Sequence, residues 1–380
     1  MINPPELSPE FQLILTSLRW AACGPGDLKP LPEVSSMNWE AVVRICQAHR
    51  VLGFVAYSLE ANGVFPSLDP KIRALLSAEI MRCERENRFF LSRFKEISLL
   101  FSDQNIPILP LKGIDLSFRV YRNLPFRQMG DLHLLLRETD LGVASTFLFG
   151  LGYRLKQFPT KNRWHDRFYS DPPDTSLEKI RKGRASFEKN GLDVDLHWHP
   201  RHAIGADEIE VNVHETWSNS SGSGLARTHH AAAPMDAFWH LFLHHAGEMH
   251  APRLLHLLDL ASSLQKLEPS ERETIERRVF ALTPALAPRL RLLLENVTAF
   301  LQSSVPELFV SETPRYRYDP LWKDGRPIGK RSLPERLIYA AGYIVPNPDY
   351  YAGRQKGAAM YIAHWKALGE KLVKILRRRP

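Results

Sequence analysis

Hydrophobic and polar positions follow two different rhythms along the 380 residues, and the change of rhythm divides the chain. The first hundred residues are spaced as helices. In NWEAVVRICQAHRVLGFVAYSLEANG (38–63), Val42, Val43, Ile45, Cys46, Val51, Phe54, Val55 and Leu59 recur on a helical stripe. Asn38 is placed to cap its start, and Gly63 to stop it. The next segment, DPKIRALLSAEIMRCERENRFFLSRFKEISLLFSDQN (69–105), predicts one long helix that opens on Asp-Pro and spaces its apolar residues among charges.

Near Gln104 the rhythm shortens. IPILPLKG (106–113) is an apolar run broken by prolines, which predicts a buried strand entering a tight turn. A helix is expected across IDLSFRVYR (114–122), then a strand DLHLLLR (131–137), a helix TDLGVASTFLFGLG (139–152) capped at Thr139, and a strand YRLKQF (153–158). A polar stretch with Pro172 and Pro173 interrupts this α/β segment, and further strands are predicted near WHDRFYS, RASFEK and LDVDLHWHP. SNSSGSG (218–224) has linker composition. Beyond Pro234 the pattern is helical again, except for PRYRYDPLWKDGRP. The expected division is a helical region over 1–103, an α/β core over 104–217 and a helical domain over 225–380. No internal repeat is visible.

Composition narrows the class. A hydrophobic share of 44% with 10% aromatics is that of a globular protein, and no stretch approaches the roughly 18 apolar residues of a membrane span. The opening MINPPELSPEFQ lacks the pattern of a secretory signal, so a cytoplasmic location is expected. Cys23, Cys46 and Cys83 have neither an even count nor C-x-x-C spacing, and are read as reduced thiols. The formal charge of +8 would suit a polyanion. Its densest clusters, KLVKILRRRP and EKIRKGRASFEK, lack interleaved aromatics, which favours solvated basic faces over a nucleic-acid surface.

The chemistry concentrates in the α/β segment. In GDLHLLL (130–136), strand alternation turns Asp131 and His133 to one side and Leu132, Leu134 and Leu136 to the other. In DVDLHW (193–198) the same rule places Asp193, Asp195, His197 and His199 on one face, with Val194, Leu196 and Trp198 opposite. Carboxylates from two strands can thus converge, as phosphoryl transfer on a divalent cation requires. The glycine of LKG at a strand-to-helix turn allows backbone N–H groups to approach phosphate, with a lysine beside it. Asp193 reads as a solvated edge carboxylate, and His197 and Trp198 as packing and orienting supports. A rival metal site is His240, His244 and Glu248, recurring every four residues on one helical face. The tandem His229-His230 reads as a surface loop.

The run PILPLKGIDLSFRVYRNLPFRQMGDLHLLL, followed by VDLHW and FWHLFLHHAGEMHAPRLLHLLDLA, resembles an uncharacterised nucleotidyltransferase family of the DNA polymerase β-like superfamily. The resemblance covers roughly residues 40 to 265 in the same order. It implies an α+β fold: a small mixed-sheet nucleotidyltransferase core flanked by N-terminal and C-terminal helical regions. It further implies that Gly113 lies on the phosphate-binding turn with Lys112 beside it, that Asp131 and Asp195 are the first and third metal carboxylates, and that Arg127 is the arginine preceding the acidic strand. His133 stands where the family carries its second carboxylate. That departure lowers the expected affinity for Mg²⁺ and suits Mn²⁺ or Zn²⁺ better, and it leaves two other roles open: acid or base, or partner of Asp131 or Asp195 in a metal-free fold. The activity implied is transfer of a nucleotidyl group from a nucleoside triphosphate to a small molecule, sugar phosphate or peptide, with Mg²⁺ or Mn²⁺. The alternative is a nucleotide-binding or interaction protein that has lost the chemistry.

Overall fold

The computed structural model describes residues 7–23, 31–121, 126–156, 183–204, 207–222, 228–247, 253–282 and 287–302. The expected strand near WHDRFYS, the PRYRYDPLWKDGRP stretch, the basic C-terminus and Glu248 lie outside them.

The chain opens with α1 (Pro9–Cys23), α2 (Trp39–His49) and α3 (Leu52–Ala61). The Asn38 side chain accepts from the Ala41 N–H, so the predicted cap forms. The expected single helix to Gly63 is instead broken in two. Arg50 takes a left-handed conformation (φ 57°), and its N–H and that of Val51 close the last carbonyls of α2. Neither glycine nor proline marks this break, which is why hydrophobic spacing alone passes over it. Gly63, at φ 69°, does end α3 as expected. The long helix α4 (Pro70–Asp103) follows in one piece.

The α/β part then runs β1 (Leu109–Leu111), α5 (Lys112–Arg119), β2 (Asp131–Leu135), α6 (Leu141–Gly150), β3 (Arg154–Leu155), β4 (Arg184–Lys189) and β5 (Leu192–His197). After it come β6 (Arg201–Ile204) and β7 (Asp207–Glu210), α7 (Val213–Ser218), β8 (Ser221–Gly222), β9 (His230–Ala231) and α8 (Pro234–Gly247). The last described helices are α9 (Leu254–Leu264), α10 (Pro269–Phe280) and α11 (Ala287–Leu301). Two local expectations change. Helix α6 is entered through a 3₁₀ turn, Glu138–Asp140, and no side chain caps it, so Thr139 is not the cap. Part of the expected linker, Ser221–Gly222, pairs with β9.

The fold is α+β, with a mixed five-stranded sheet in the order β1-β2-β5-β4-β3 and helical flanks. β2 and β5 are parallel neighbours, and the other pairings are antiparallel. Leu132, Leu134 and Leu136 of the β2 segment join Val194, Leu196 and Trp198 of the β5 segment in one apolar cluster. Phe90, Phe94, Ile97 and Phe101 of α4, and Ala144 and Leu148 of α6, cover that face. The other face is apolar only toward one end, where Leu109, Leu111 and Leu135 meet Ala232 and Ala237.

By contacts the chain forms two compact units: one from the described parts of Met1–Glu79, Glu248–Gln265 and Pro269–Pro380, the other from those of Ile80–Gly247 and Lys266–Glu268. The first is helical. Within it, Arg19 donates to the Phe300 carbonyl and the Leu254 N–H donates to His49 Nδ1. No helix among the described residues is long and apolar enough to cross a membrane.

Candidate functional site

The parallel register of β2 and β5 decides what meets what. Asp131 lies opposite Asp193, His133 opposite Asp195 and Leu135 opposite His197, so the odd-numbered side chains of both strands share one face. Two strands that separately read as Asp-x-His and Asp-x-Asp-x-His thereby become one polar cluster, built on the back of the leucine core.

His133 is its centre. The ring is buried, and its two nitrogens face different partners. Nε2 lies 2.9 Å from Asp131 Oδ2 and 3.3 Å from Lys112 Nζ. Nδ1 lies 2.8 Å from His197 Nε2 and 3.4 Å from Asp195 Oδ2. The imidazole thus stands between the two carboxylates that the family resemblance pairs on a metal. Asp195 is buried and holds Arg184 Nη2 at 2.8 Å. Asp193 faces Lys156, an ion pair at the sheet's polar side rather than a bare solvated edge.

Burial would push the Asp131 carboxyl up. His133, by charge and hydrogen bond, with Lys112 and Arg184 behind it, outweighs that cost and holds the carboxyl well below the ordinary range. His197 goes the other way. Burial first, then the positive charge of its neighbours His133, Lys112 and Arg184, lowers it well below an ordinary imidazole, so the ring is neutral at pH 7. A neutral imidazole keeps a lone pair free to bind a metal.

One nitrogen each from His133 and His197 and one oxygen from Asp195 lie within 4.8 Å of one another. Two imidazoles and a carboxylate can hold a divalent cation that accepts nitrogen donors. Asp131 stands outside this group, across the His133 ring. His197 is the residue that sequence reasoning left in a supporting role; its two-residue spacing from Asp195 was the signal that could have raised it.

In the LKG turn the left-handed residue is Lys112 (φ 55°). A Cβ on Gly113 would come within 2.6 Å of Arg127 Nη1, so the glycine makes room for a guanidinium. Arg127 is buried and donates to the Gln128 carbonyl at 3.3 Å. At the first turn of α5, Lys112 thus lies beside His133 and Arg127 beside Gly113.

The alternation ends at His197. The N–H groups of Trp198 and His199 both point to the Gly183 carbonyl, and His199 leaves the cluster to sit between Glu138 and Glu210, 3.1 Å from each. His229 also departs from expectation. It is buried rather than on a surface loop, with Ile108 as its bridge partner and the Phe94 ring 5.2 Å away.

A family profile described as an uncharacterised nucleotidyltransferase matches residues 35–297. No curated protein and no solved structure matches the chain significantly. The chain belongs to this uncharacterised nucleotidyltransferase family.

Proposed function

We propose, from that family membership and the polar face of the sheet, that the protein transfers a nucleotidyl group from a nucleoside triphosphate to a small-molecule, sugar-phosphate or peptide acceptor. The observation that carries the reading is the convergence of His133, Asp195 and His197 beside Lys112, since phosphoryl chemistry needs a cation site and compensating charge together. The donor chemistry fits a divalent ion that takes nitrogen, which favours Mn²⁺ over Mg²⁺. Bound there, such an ion would neutralise phosphate oxygens.

The chain's own groups have distinct parts in this proposal. Lys112 and Arg127 bind phosphate oxygens, the first as a point charge and the second through its planar fork. Arg184 holds the Asp195 carboxylate in place. Asp131 orients the His133 ring through Nε2. Catalysis is then mostly positioning and charge neutralisation. A second reading rests on one observation: His133 separates the two carboxylates, as expected of a nucleotide-binding protein without turnover.

Calorimetry against the four nucleoside triphosphates with Mn²⁺ and then Mg²⁺, paired with a pyrophosphate-release assay, tests both. Binding with release, stronger in Mn²⁺ and lost in Asp131→Ala and Asp195→Ala, supports the transferase. Binding without release supports the second reading. Absence of nucleotide binding in either metal sinks both.

A further inference from the structure

Among the described residues one cluster has the spacing of metal ligands, His133, Asp195 and His197, so His240 and His244 of α8 do not make a second one. The same sheet face carries a cation on each flank of that cluster. The strand order β1-β2-β5-β4 puts the cluster on the two middle strands. Lys112 comes directly off β1, where Leu111 pairs with His133, and its Nζ is 3.3 Å from His133 Nε2. Arg184 lies on β4, opposite His197, and its Nη2 is 2.8 Å from Asp195 Oδ2. The two cations therefore stand on outer strands, with His133 and Asp195 between them.

Arg184 is engaged through one nitrogen. Nη2 faces Asp195 and also donates to Ser186 Oγ at 3.3 Å. Nε and Nη1, which carry three of the five N–H donors of a guanidinium, have no hydrogen-bond partner among the described residues. The side chain is 49% exposed. A fork held at one end by a buried carboxylate and open at the rest is already oriented for an incoming oxyanion, which lowers the entropy lost on binding. Beside it, the Lys156 N–H donates to the Ser186 carbonyl at 2.8 Å, and the Lys156 ammonium, a third exposed, rests on Asp193.

We propose that Arg184, helped by Lys156, binds the acceptor, and that the acceptor is a phosphate monoester. The inference rests on the nucleotidyl-transfer reading and selects one class among the acceptors it leaves open. In-line displacement puts the attacking and leaving groups on opposite sides of the α-phosphorus. With the triphosphate tail on Lys112 and Arg127, the attacking group belongs on the Arg184 flank. Two partly exposed cations there favour a dianion over a hydroxyl or a carboxylate, and a phosphate monoester, with a second pKa of about 6, is mostly dianionic at pH 7. One of its oxygens bonds to the α-phosphorus while the bond from that phosphorus to the oxygen bridging the β-phosphorus breaks. Pyrophosphate leaves with the electron pair, and no proton has to be taken from the nucleophile.

The test is calorimetry on the full chain with methyl phosphate as probe, acetate and methanol as controls, and an α,β-methylene nucleoside triphosphate with Mn²⁺ for the other flank. Methyl phosphate should bind, and should still bind when the triphosphate analogue is present. Arg184→Gln should weaken it at least about tenfold, the loss of one charge-assisted hydrogen bond. Arg184→Lys, which keeps a charge against Asp195 but loses the fork, should weaken it less, and circular dichroism checks that both variants fold. Lys112→Gln should weaken the triphosphate analogue and spare methyl phosphate. The inference is overturned by methyl phosphate binding that survives Arg184→Gln and is lost in Lys112→Gln, by competition between the two ligands, by acetate binding as tightly, or by no methyl phosphate binding. Triphosphate binding together with any of these results leaves the transferase reading standing and removes this inference alone. Arg184-dependent methyl phosphate binding in a protein that takes up no triphosphate would sink the transferase reading, and the assignment of an acceptor with it.

Discussion

One backbone carries both faces of the central sheet, and the two faces are held by different physics. Leu132, Leu134, Leu136, Val194, Leu196 and Trp198 are at most 3% exposed and packed under α4 and α6. A residue away along the same strands, Asp131, His133, Asp195 and His197 meet through contacts of 2.8–3.4 Å. Burial of the first set is favourable in itself and non-directional, about 25 cal/mol per Å². The second set must be desolvated and regains that cost only through specific partners. Stability should therefore reside on the leucine face and chemistry on the polar one, and the two should be separable by substitution.

The sharpest separation is expected from Asp195→Asn. The change keeps the shape of the side chain and removes its charge, so turnover should fall by about 10³ or more, roughly 4 kcal/mol of barrier, while the urea midpoint moves little. Arg184, its ion-pair partner, is about half exposed and can return to water. A large loss of stability with turnover retained would reverse the assignment of the faces. The converse is Leu134→Ala, on the opposite face and fully buried. It should cost about 3–5 kcal/mol in urea unfolding and leave turnover per folded molecule unchanged.

This comparison was largely legible in the residues. The period-2 alternation of GDLHLLL and DVDLHW assigns every one of these side chains to its face, because a strand cannot do otherwise. What alternation could not supply is register. Whether His133 meets Asp195 or slides to another neighbour depends on the parallel pairing of β2 with β5, a tertiary fact that brings His197 into the cluster. The same holds elsewhere. Lys156 on Asp193, Arg127 against Gly113 and the burial of His229 are all contacts between segments remote in sequence. The break at Arg50 has a different origin, a left-handed residue that is neither glycine nor asparagine and so carries no signal.

Acid should distinguish the faces next. His202 is drawn down to about 3, and His197 and His240 are lowered too, burial being the first cause in each case. Below about pH 6.5 the unfolded chain takes up protons that these rings refuse. Their contribution to stability is thus complete above that pH and is lost as pH falls toward the folded values, by about 1.4 kcal/mol per unit for each ring. On the leucine side His229, drawn down to about 4 by burial first and then by His230, contributes a single such group. Urea midpoints measured from pH 7.5 to 4.5 on metal-free protein should fall, and Leu134→Ala should follow a parallel, lower curve. A flat profile would mean that the polar face opens to water without cost.

The smallest effect, and the finest test of the polar face, is His133→Asp. The substitution supplies the carboxylate that the family resemblance implies at that position, and it removes the ring that now stands between Asp131 and Asp195. Three carboxylates would then face Lys112 and Arg184, so the metal-free protein should lose a little stability to like-charge repulsion and regain it when Mg²⁺ binds. If His133 is only a weakened ligand, preference should move from Mn²⁺ toward Mg²⁺ by about tenfold with nucleotide binding strengthened. If the imidazole is a specialised ligand or carries a proton, Mg²⁺ should bind better while turnover falls, because nitrogen donor and titrating group disappear together. Unchanged metal preference and unchanged nucleotide affinity would mean that His133 serves only to join the two carboxylates. The cation site would then have to be sought among Asp195, His197 and their neighbours without it.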